Sequence, residues 1–252
     1  MNNKLDLVLY KAYAELRRDI ASAYLGMLWW VLDPLLYMAA FYMIFALGIR
    51  TGADDFVSFL LCGLVSWKWF ASSINQAAVS VLNHRGLLQQ VYLPKMILPL
   101  IPIAVNVVKF VVILVLLLGY LVTVGYKPAV EWLYLLPVIG VQLVLILGSS
   151  LLLAAIVPVV MDVRVLVANG MTMLMFMSGI FFSVQDVSAE MQFYFYLNPM
   201  VAIIEAYRQI LLNAQVPDWS QLGQALAMAV VIGAMGLALF WRLDKHYPKI
   251  MP

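Results

Sequence analysis

Six long apolar runs, at about residues 27–49, 56–79, 97–124, 132–157, 165–183 and 223–241, constrain this chain more than anything else in it. Each is near the roughly 20 residues that a helix needs to cross a bilayer. A segment crossing hydrocarbon must satisfy its own backbone polar groups, so such runs form helices and not open strands. The expected fold is therefore an all-α integral membrane domain of six transmembrane helices, one domain over residues 1–252. Composition closes off the soluble alternative. Of 252 residues, 65% are hydrophobic and 11% charged, against about 25% charged in ordinary soluble domains. Too few polar side chains exist to cover a core.

Residues 1–26 carry charges throughout and are not a cleavable leader. Leu5, Val8, Leu9, Ala12, Leu16 and Ile20 share one helical face, with Lys4, Lys11, Glu15 and Arg18 opposite. This is the pattern of an amphipathic helix at a membrane surface. Met200–Leu212 is a different exception, too short and, with Glu205 and Arg208, too polar to span, and it reads as a re-entrant or interfacial helix dipping into the outer leaflet before the last span. Orientation follows from Lys and Arg, which accumulate on the cytoplasmic side. With the N-terminus inside, the inner segments hold Lys4, Lys11, Arg17, Arg18, Arg85, Lys95, Arg164, Arg242, Lys245 and Lys249. The outer ones hold Arg50, Lys127 and Arg208. Both termini are thus expected in the cytoplasm.

Three places in the sequence are candidates for function. The first is the inner loop NHRGLLQQVYLPKMILP, residues 83–99. Between Gly86 and Pro94, the residues Leu87, Leu88, Val91 and Tyr92 make one short apolar face. It suits either a partner's groove or an ordinary interfacial loop. The second is the outer segment 184–222, long enough to suggest function. Tyr194, Phe195 and Tyr196 there fit an interfacial aromatic belt or a gate. Asn198 and Pro199 form a helix start, since Asn caps free amides and Pro is costless at the first helical position. Glu205 and Arg208, three apart, can pair. The third is the set of ionisable residues inside spans. Lys68 and Lys109 each lie about 18 Å from a span end at 1.5 Å per residue. A charge there costs roughly 2.5–3.5 kcal/mol, so it faces a cavity, pairs or snorkels. Trp67 and Trp69 flank Lys68 and offer a cation–π contact. Asp33 before Pro34 reads best as a helix cap.

Other chemistry lacks its residues. No G-x-x-x-x-G-K-[ST] or Gly-Lys pair occurs, so no phosphate-binding loop of that kind is present. His84 and His246 are far apart, Cys62 is the single cysteine, and no catalytic set or metal-ligand spacing is seen. The net charge of +2 gives no argument for nucleic acid.

Four stretches, in order, carry a resemblance: SAYLGMLWWVLDPLLYMAAFYMIF after the amphipathic start, GLVSWKWFASSINQAAVSVLNHRGLLQQVYLPKMILPL, IVPVVMDVRVLV, and YLNPMVAIIEAYRQILL. Together they resemble the ABC-2 type permeases that export polysaccharides such as O-antigen, capsule and teichoic acid. Two departures stand out: Met161-Asp162-Val163-Arg164 where the family commonly has an adjacent Arg-Asp pair, and Asp33 where it often has a neutral amide. The resemblance implies a subunit that is not itself an enzyme. It works as a homodimer with two copies of an ABC ATPase, which binds ATP and Mg, in a bacterial cytoplasmic membrane. It makes Gly86, Leu87, Leu88, Val91, Tyr92 and Pro94 the contact with that ATPase. Tyr194, Phe195, Tyr196, Asn198, Pro199, Glu205 and Arg208 become an outer gate. Tyr37, Tyr42, Trp67, Lys68, Trp69, Lys109, Phe181 and Phe182 become candidates for the pathway of a lipid-linked polysaccharide. The same permease fold also exports drugs and small lipids. Outside it, the alternatives are an ion-coupled transporter using Lys68, Lys109 and Asp33, or a membrane-embedded transferase, for which no catalytic pair is found.

Overall fold

The structure is a computed structural model that describes residues 3–22, 26, 28–32, 35–36, 39–40, 43, 53–84, 86 and 94–243. The described residues contain helices and turns and no strand. They form α1 (Asn3–Ser22), α2 (Ala53–Ala78), the one-turn α3 (Ser80–Asn83), α4 (Leu100–Val124), α5 (Leu135–Ile156), α6 (Val163–Met177), α7 (Ala189–Tyr196), α8 (Pro199–Leu211) and α9 (Trp219–Leu243). Short 3₁₀ turns at Lys95–Ile97 and Val130–Tyr134 lead into α4 and α5.

Four of these helical stretches are long and apolar enough to cross a membrane: Phe56–Ala78, Lys95–Val124, Val130–Ile156 and Trp219–Leu243. They match four of the six expected runs. The first run, 27–49, lies largely outside the described residues, and those described within it at 28–32, 35–36, 39–40 and 43 are helical. The fifth run is a single helix over only part of its length. The run 165–183 is one apolar stretch in the sequence, yet α6 has 15 residues and stops at Met177. At 1.5 Å per residue that is about 22 Å, short of a bilayer core of about 30 Å. The cause is local. Gly179 has a φ of +69°, the left-handed conformation that ends helices.

The core is built where α2 meets α4, α5 and α8, and where α5 meets α9. Leu60, Leu64, Ile74, Leu121, Leu145, Ile146 and Tyr207 are fully buried in it. The α5–α9 contact is the tightest. A Cβ on Gly148 would meet Ala229 O at 2.8 Å, and one on Gly236 would meet Leu152 N at 2.7 Å. Backbones this close are the product of small residues, which let membrane helices gain dispersion energy where lipid offers no hydrophobic drive. The outer faces of α4, α5 and α9 expose Val111, Val115, Leu136, Val230, Val231 and Trp241, as lipid-facing surfaces do.

Helix α1 docks on the start of α4 through a narrower stripe than the sequence pattern suggests. Val8 and Ala12 are buried and Leu16 half-buried, in a cluster with Val81, Ile97, Ile101 and Phe240. Leu9 and Ile20 belong to the expected apolar face but are 60% and 37% exposed, beside exposed Tyr10 and Tyr13. Protein contact takes every fourth residue, and the rest of the apolar face is free for lipid.

Candidate functional site

Position 208 shows how the broken helix is held. Helix α8 starts as its sequence predicts: the Asn198 side chain accepts from Met200 N at 3.1 Å, with Pro199 in the first turn. It then runs through the protein interior, buried on nearly all sides from Met200 to Leu211. It is thus a short helix sunk in protein and not one lying on the surface. The two side chains do not pair with each other: Arg208 takes backbone carbonyls, and Glu205 takes a backbone amide and the Gln185 side chain. Arg208 Nη1 donates to Gly179 O and Nη2 to Ile180 O, both at 2.8 Å, and Nε donates to Phe59 O at 3.3 Å. Its guanidinium also lies 3.4 Å from the Phe59 ring centroid. A buried guanidinium needs several acceptors, and a broken helix supplies unpaired carbonyls with the negative end of its dipole. Gly63 makes room for it, since a Cβ there would stand 3.0 Å from Arg208 Nη2. On the far side, Glu205 accepts from Val184 N at 3.3 Å and Gln185 Nε2 at 3.2 Å. Asn198 Nδ2 reaches Ser178 Oγ at 2.8 Å. Helix α8 therefore clamps the turn after α6 from both ends.

The aromatic candidates divide. Phe182 packs edge-on against Phe195, with centroids 5.4 Å apart, and Phe181 stacks on Phe176 at the same distance. Tyr194 is 70% exposed, and Tyr196 is half-buried. These residues gather around the clamped turn, away from the lysines. Trp67 turns into the core against Phe70, so adjacency to Lys68 in sequence does not bring it to the same cavity.

Lys68, Trp69 and Lys109 do come together. They line a cavity of about 360 Å³ between α2, α4 and the helical segment 28–32. Trp29, Trp30 and Phe110 add aromatic wall, and Ser72, Gln76 and Asn106 add polar wall. Lys109 Nζ donates to Asp19 Oδ2 at 2.7 Å and stands 5.4 Å from the Trp30 ring. Trp69 stacks on Phe110 at 4.1 Å. Asn106 donates to Gln76 at 2.9 Å. The sequence marks Lys68 and Lys109 through their charge, but Asp19 as partner was hidden in the amphipathic helix.

Two further polar contacts escaped sequence reading. Tyr207 OH donates to Gln142 Oε1 at 2.9 Å, and Gln142 Nε2 donates to Ser66 O at 2.8 Å, tying α8, α5 and α2 in the core. An amide in the middle of an apolar run was the available signal. At the other end of the bundle, His84 Nε2 lies 3.5 Å from Glu15. That hydrogen-bonded contact raises the imidazole pKa, while partial burial opposes it.

Of the loop candidates, Gly86 is exposed, and Pro94 precedes the Lys95–Ile97 turn. Leu87, Leu88, Val91 and Tyr92 lie outside the described residues, as do Asp33, Tyr37 and Tyr42.

The described residues thus make a helical domain with four membrane-length apolar helices and a short buried helix before the last of them. Residues 8–212 match the ABC-2 type transporter family. The chain belongs to that family. It is similar over nearly its whole length to curated relatives. One, an O-antigen export system permease protein RfbA of Klebsiella pneumoniae, is 23% identical over 247 residues, covering 98% of this chain and 95% of the relative. The other, an O-antigen export system permease protein RfbA of Myxococcus xanthus, is 29% identical over 229 residues, covering 90% and 88%. An ABC-2 chain is a multi-pass membrane permease subunit, not an enzyme in itself.

Proposed function

We propose that this chain is the membrane subunit of an ATP-driven exporter that moves a lipid-linked polysaccharide of the O-antigen kind out of the bacterial cytoplasm. The observation that carries this is the end-to-end match to O-antigen export permeases, covering 98% of this chain and 95% of one relative. In this reading the chain crosses the cytoplasmic membrane six times, with both termini inside. The first crossing runs through 27–49. The fifth is completed by α6 together with the clamped turn after it. Two copies form the channel, and two copies of a separate ABC ATPase bind ATP and Mg. Residues 86–94 dock on that ATPase, with Leu87, Leu88, Val91 and Tyr92 as the apolar contact and Gly86 and Pro94 as its limits.

The geometry supports a division of labour. Helix α8 and its clamp on the turn after α6 form the outer gate, with Tyr194, Phe195, Tyr196, Phe181 and Phe182 around it. Aromatic faces suit a glycan, because pyranose rings stack on them without one sugar order being demanded. The lysine cavity lies toward the opposite, basic end of the bundle, nearer His84 and the start of α4. Deleting the gene in its host and restoring it on a plasmid tests the reading: surface glycan should disappear and return. Surface glycan that persists in the deletion strain would contradict it.

A further inference from the structure

The polar contact between α1 and α3 turns on one imidazole. His84 closes the one-turn α3, where its backbone N–H donates to Ser80 O at 3.2 Å. Its ring Nδ1 lies 2.9 Å from the same carbonyl oxygen. The other ring nitrogen, Nε2, faces Glu15 Oε1 of α1 at 3.5 Å. A carbonyl and an ionised carboxylate only accept, whereas a neutral imidazole has one N–H and one lone pair. Whichever nitrogen gives up its proton, a lone pair is then set against an oxygen, that of Ser80 or that of Glu15. Only the imidazolium donates at both ends.

A polar cavity of about 210 Å³ lies beside this pair, between α1, α2, α3 and α4. Helix α1 brings Glu15, Arg18 and Asp19 to it, and Lys11 of the same helix is close enough to oppose the ring's charge. The lining residues of α2, Gln76 and Val79 in and after its last turn, and those of α4, Pro102 and Val105, are uncharged. Asp19 is engaged by Lys109 of α4 at 2.7 Å, so Glu15 is the acid that answers to His84. The place of the pair in the fold gives it leverage. Val81 of α3 packs with Val8 and Ala12 in the cluster that docks α1, and His84 stands two residues before Gly86, where the loop 86–94 begins.

We propose that Glu15 and His84 form a proton-operated latch between α1 and the loop 86–94, closed when the ring is an imidazolium and open when it is neutral, so that export slows as the cytoplasm turns alkaline; this rests on the export reading above. The closed latch holds the start of the loop against α1 and presents it to the ATPase. Loss of the Nε2 proton to water sets the ring's lone pair against the Glu15 carboxylate, and the start of the loop is released from α1. The sign follows from the ring's surroundings. The Glu15 hydrogen bond raises the His84 pKa, and burial and Lys11 oppose it. The pair is therefore complete below the unfolded value near 6.5 and is lost as pH rises through the higher folded pKa.

Hydrogen exchange of the full chain in lipid nanodiscs, read by mass spectrometry, follows the docking of α1. Corrected for the intrinsic pH dependence of exchange, protection of residues 3–22 should fall roughly two- to fivefold as His84 titrates, the range of ion pairs near a surface. His84→Lys keeps a cation throughout and should hold that protection high and flat with pH. His84→Gln should hold it low and flat. Protection of α5 and α9 serves as the reference, since general loosening of the fold would lower it as well. Glycan-stimulated hydrolysis by the co-purified ATPase should fall over the same pH range in the native complex, and the His84→Lys complex should lack that step while keeping any pH dependence of the ATPase itself. Protection of residues 3–22 that stays constant while NMR shows His84 titrating overturns the latch. A step in protection with no step in hydrolysis overturns its control of export and leaves the export reading standing. If no ABC ATPase co-purifies, the export reading fails and the control of export falls with it.

Discussion

Replacing Gly236 by Ala should weaken the protein more than any other single methyl group added to α9. The ideal Cβ would lie 2.7 Å from Leu152 N, 3.1 Å from Leu152 Cα and 3.2 Å from Leu151 C. All three are backbone atoms of α5, so no side-chain rotation relieves the clash. The helices must part, by about 0.7 Å to reach the 3.4 Å of ordinary contact. A gap of 0.5–1 Å forfeits a quarter to a half of each dispersion well it opens. This interface is the most extensive among the described helices, so the loss is spread over many pairs. Overpacking of this sort costs about 1–3 kcal/mol, and the upper half of that range is expected. Gly223, also on α9, has no heavy atom within 4 Å of the place its Cβ would take. There Ala should stabilise slightly, by about 0.5–1 kcal/mol, because Ala is the better helix former. Thermal unfolding of both variants in the same detergent measures the contrast. If Gly236→Ala unfolds at the same temperature as Gly223→Ala, the close backbone approach is wrong.

Arg208→Met removes donors from three carbonyls, two of them in the turn after α6, and should abolish surface glycan while Arg208→Lys retains part of it; flow cytometry with a glycan-binding lectin reads both. Tyr207→Phe leaves Gln142 Oε1 unsatisfied at a cost of about 1–3 kcal/mol, and adding Gln142→Leu should recover part of it in a thermal scan. Asn198→Ala removes the cap of α8, with its bond to Met200 N, and should cost about 1 kcal/mol in the same scan. The His84 pKa is raised, with the Glu15 hydrogen bond the largest cause, so the contact's contribution to docking α1 is complete below the unfolded value near 6.5. It is lost as pH rises through the higher folded pKa. Glu15→Gln should move the His84 titration, followed by NMR, to lower pH, and an unmoved midpoint would show that Glu15 is not the cause.

Hydrophobicity makes most of the architecture legible, because long apolar runs have one stable form in lipid. The cap at Asn198 is also legible, since capping is local chemistry between neighbours in sequence. What escaped depends on distance in sequence. The Glu205–Arg208 spacing is right for a helical pair, but the carbonyls of Phe59, Gly179 and Ile180 win the guanidinium, and nothing local announces them. The fifth run looks continuous because Gly179 and Ser178 carry no charge, yet one left-handed glycine ends the helix there. Lys109 was visible as a costly charge, whereas Asp19, 90 residues away, is one acid among several on an amphipathic helix. Trp67 and Trp69 are equivalent in the sequence, and packing sends one into the core against Phe70 and the other to the cavity wall.

We propose above that this chain moves a lipid-linked glycan on energy supplied by another subunit. Purifying the tagged chain from its host in mild detergent, and assaying ATP hydrolysis with and without lipid-linked glycan, tests it most directly. An ABC ATPase should co-purify at one copy per copy of this chain, and its hydrolysis rate should change when the lipid-linked glycan is added. A chain that purifies alone, or an ATPase indifferent to that lipid, would contradict it.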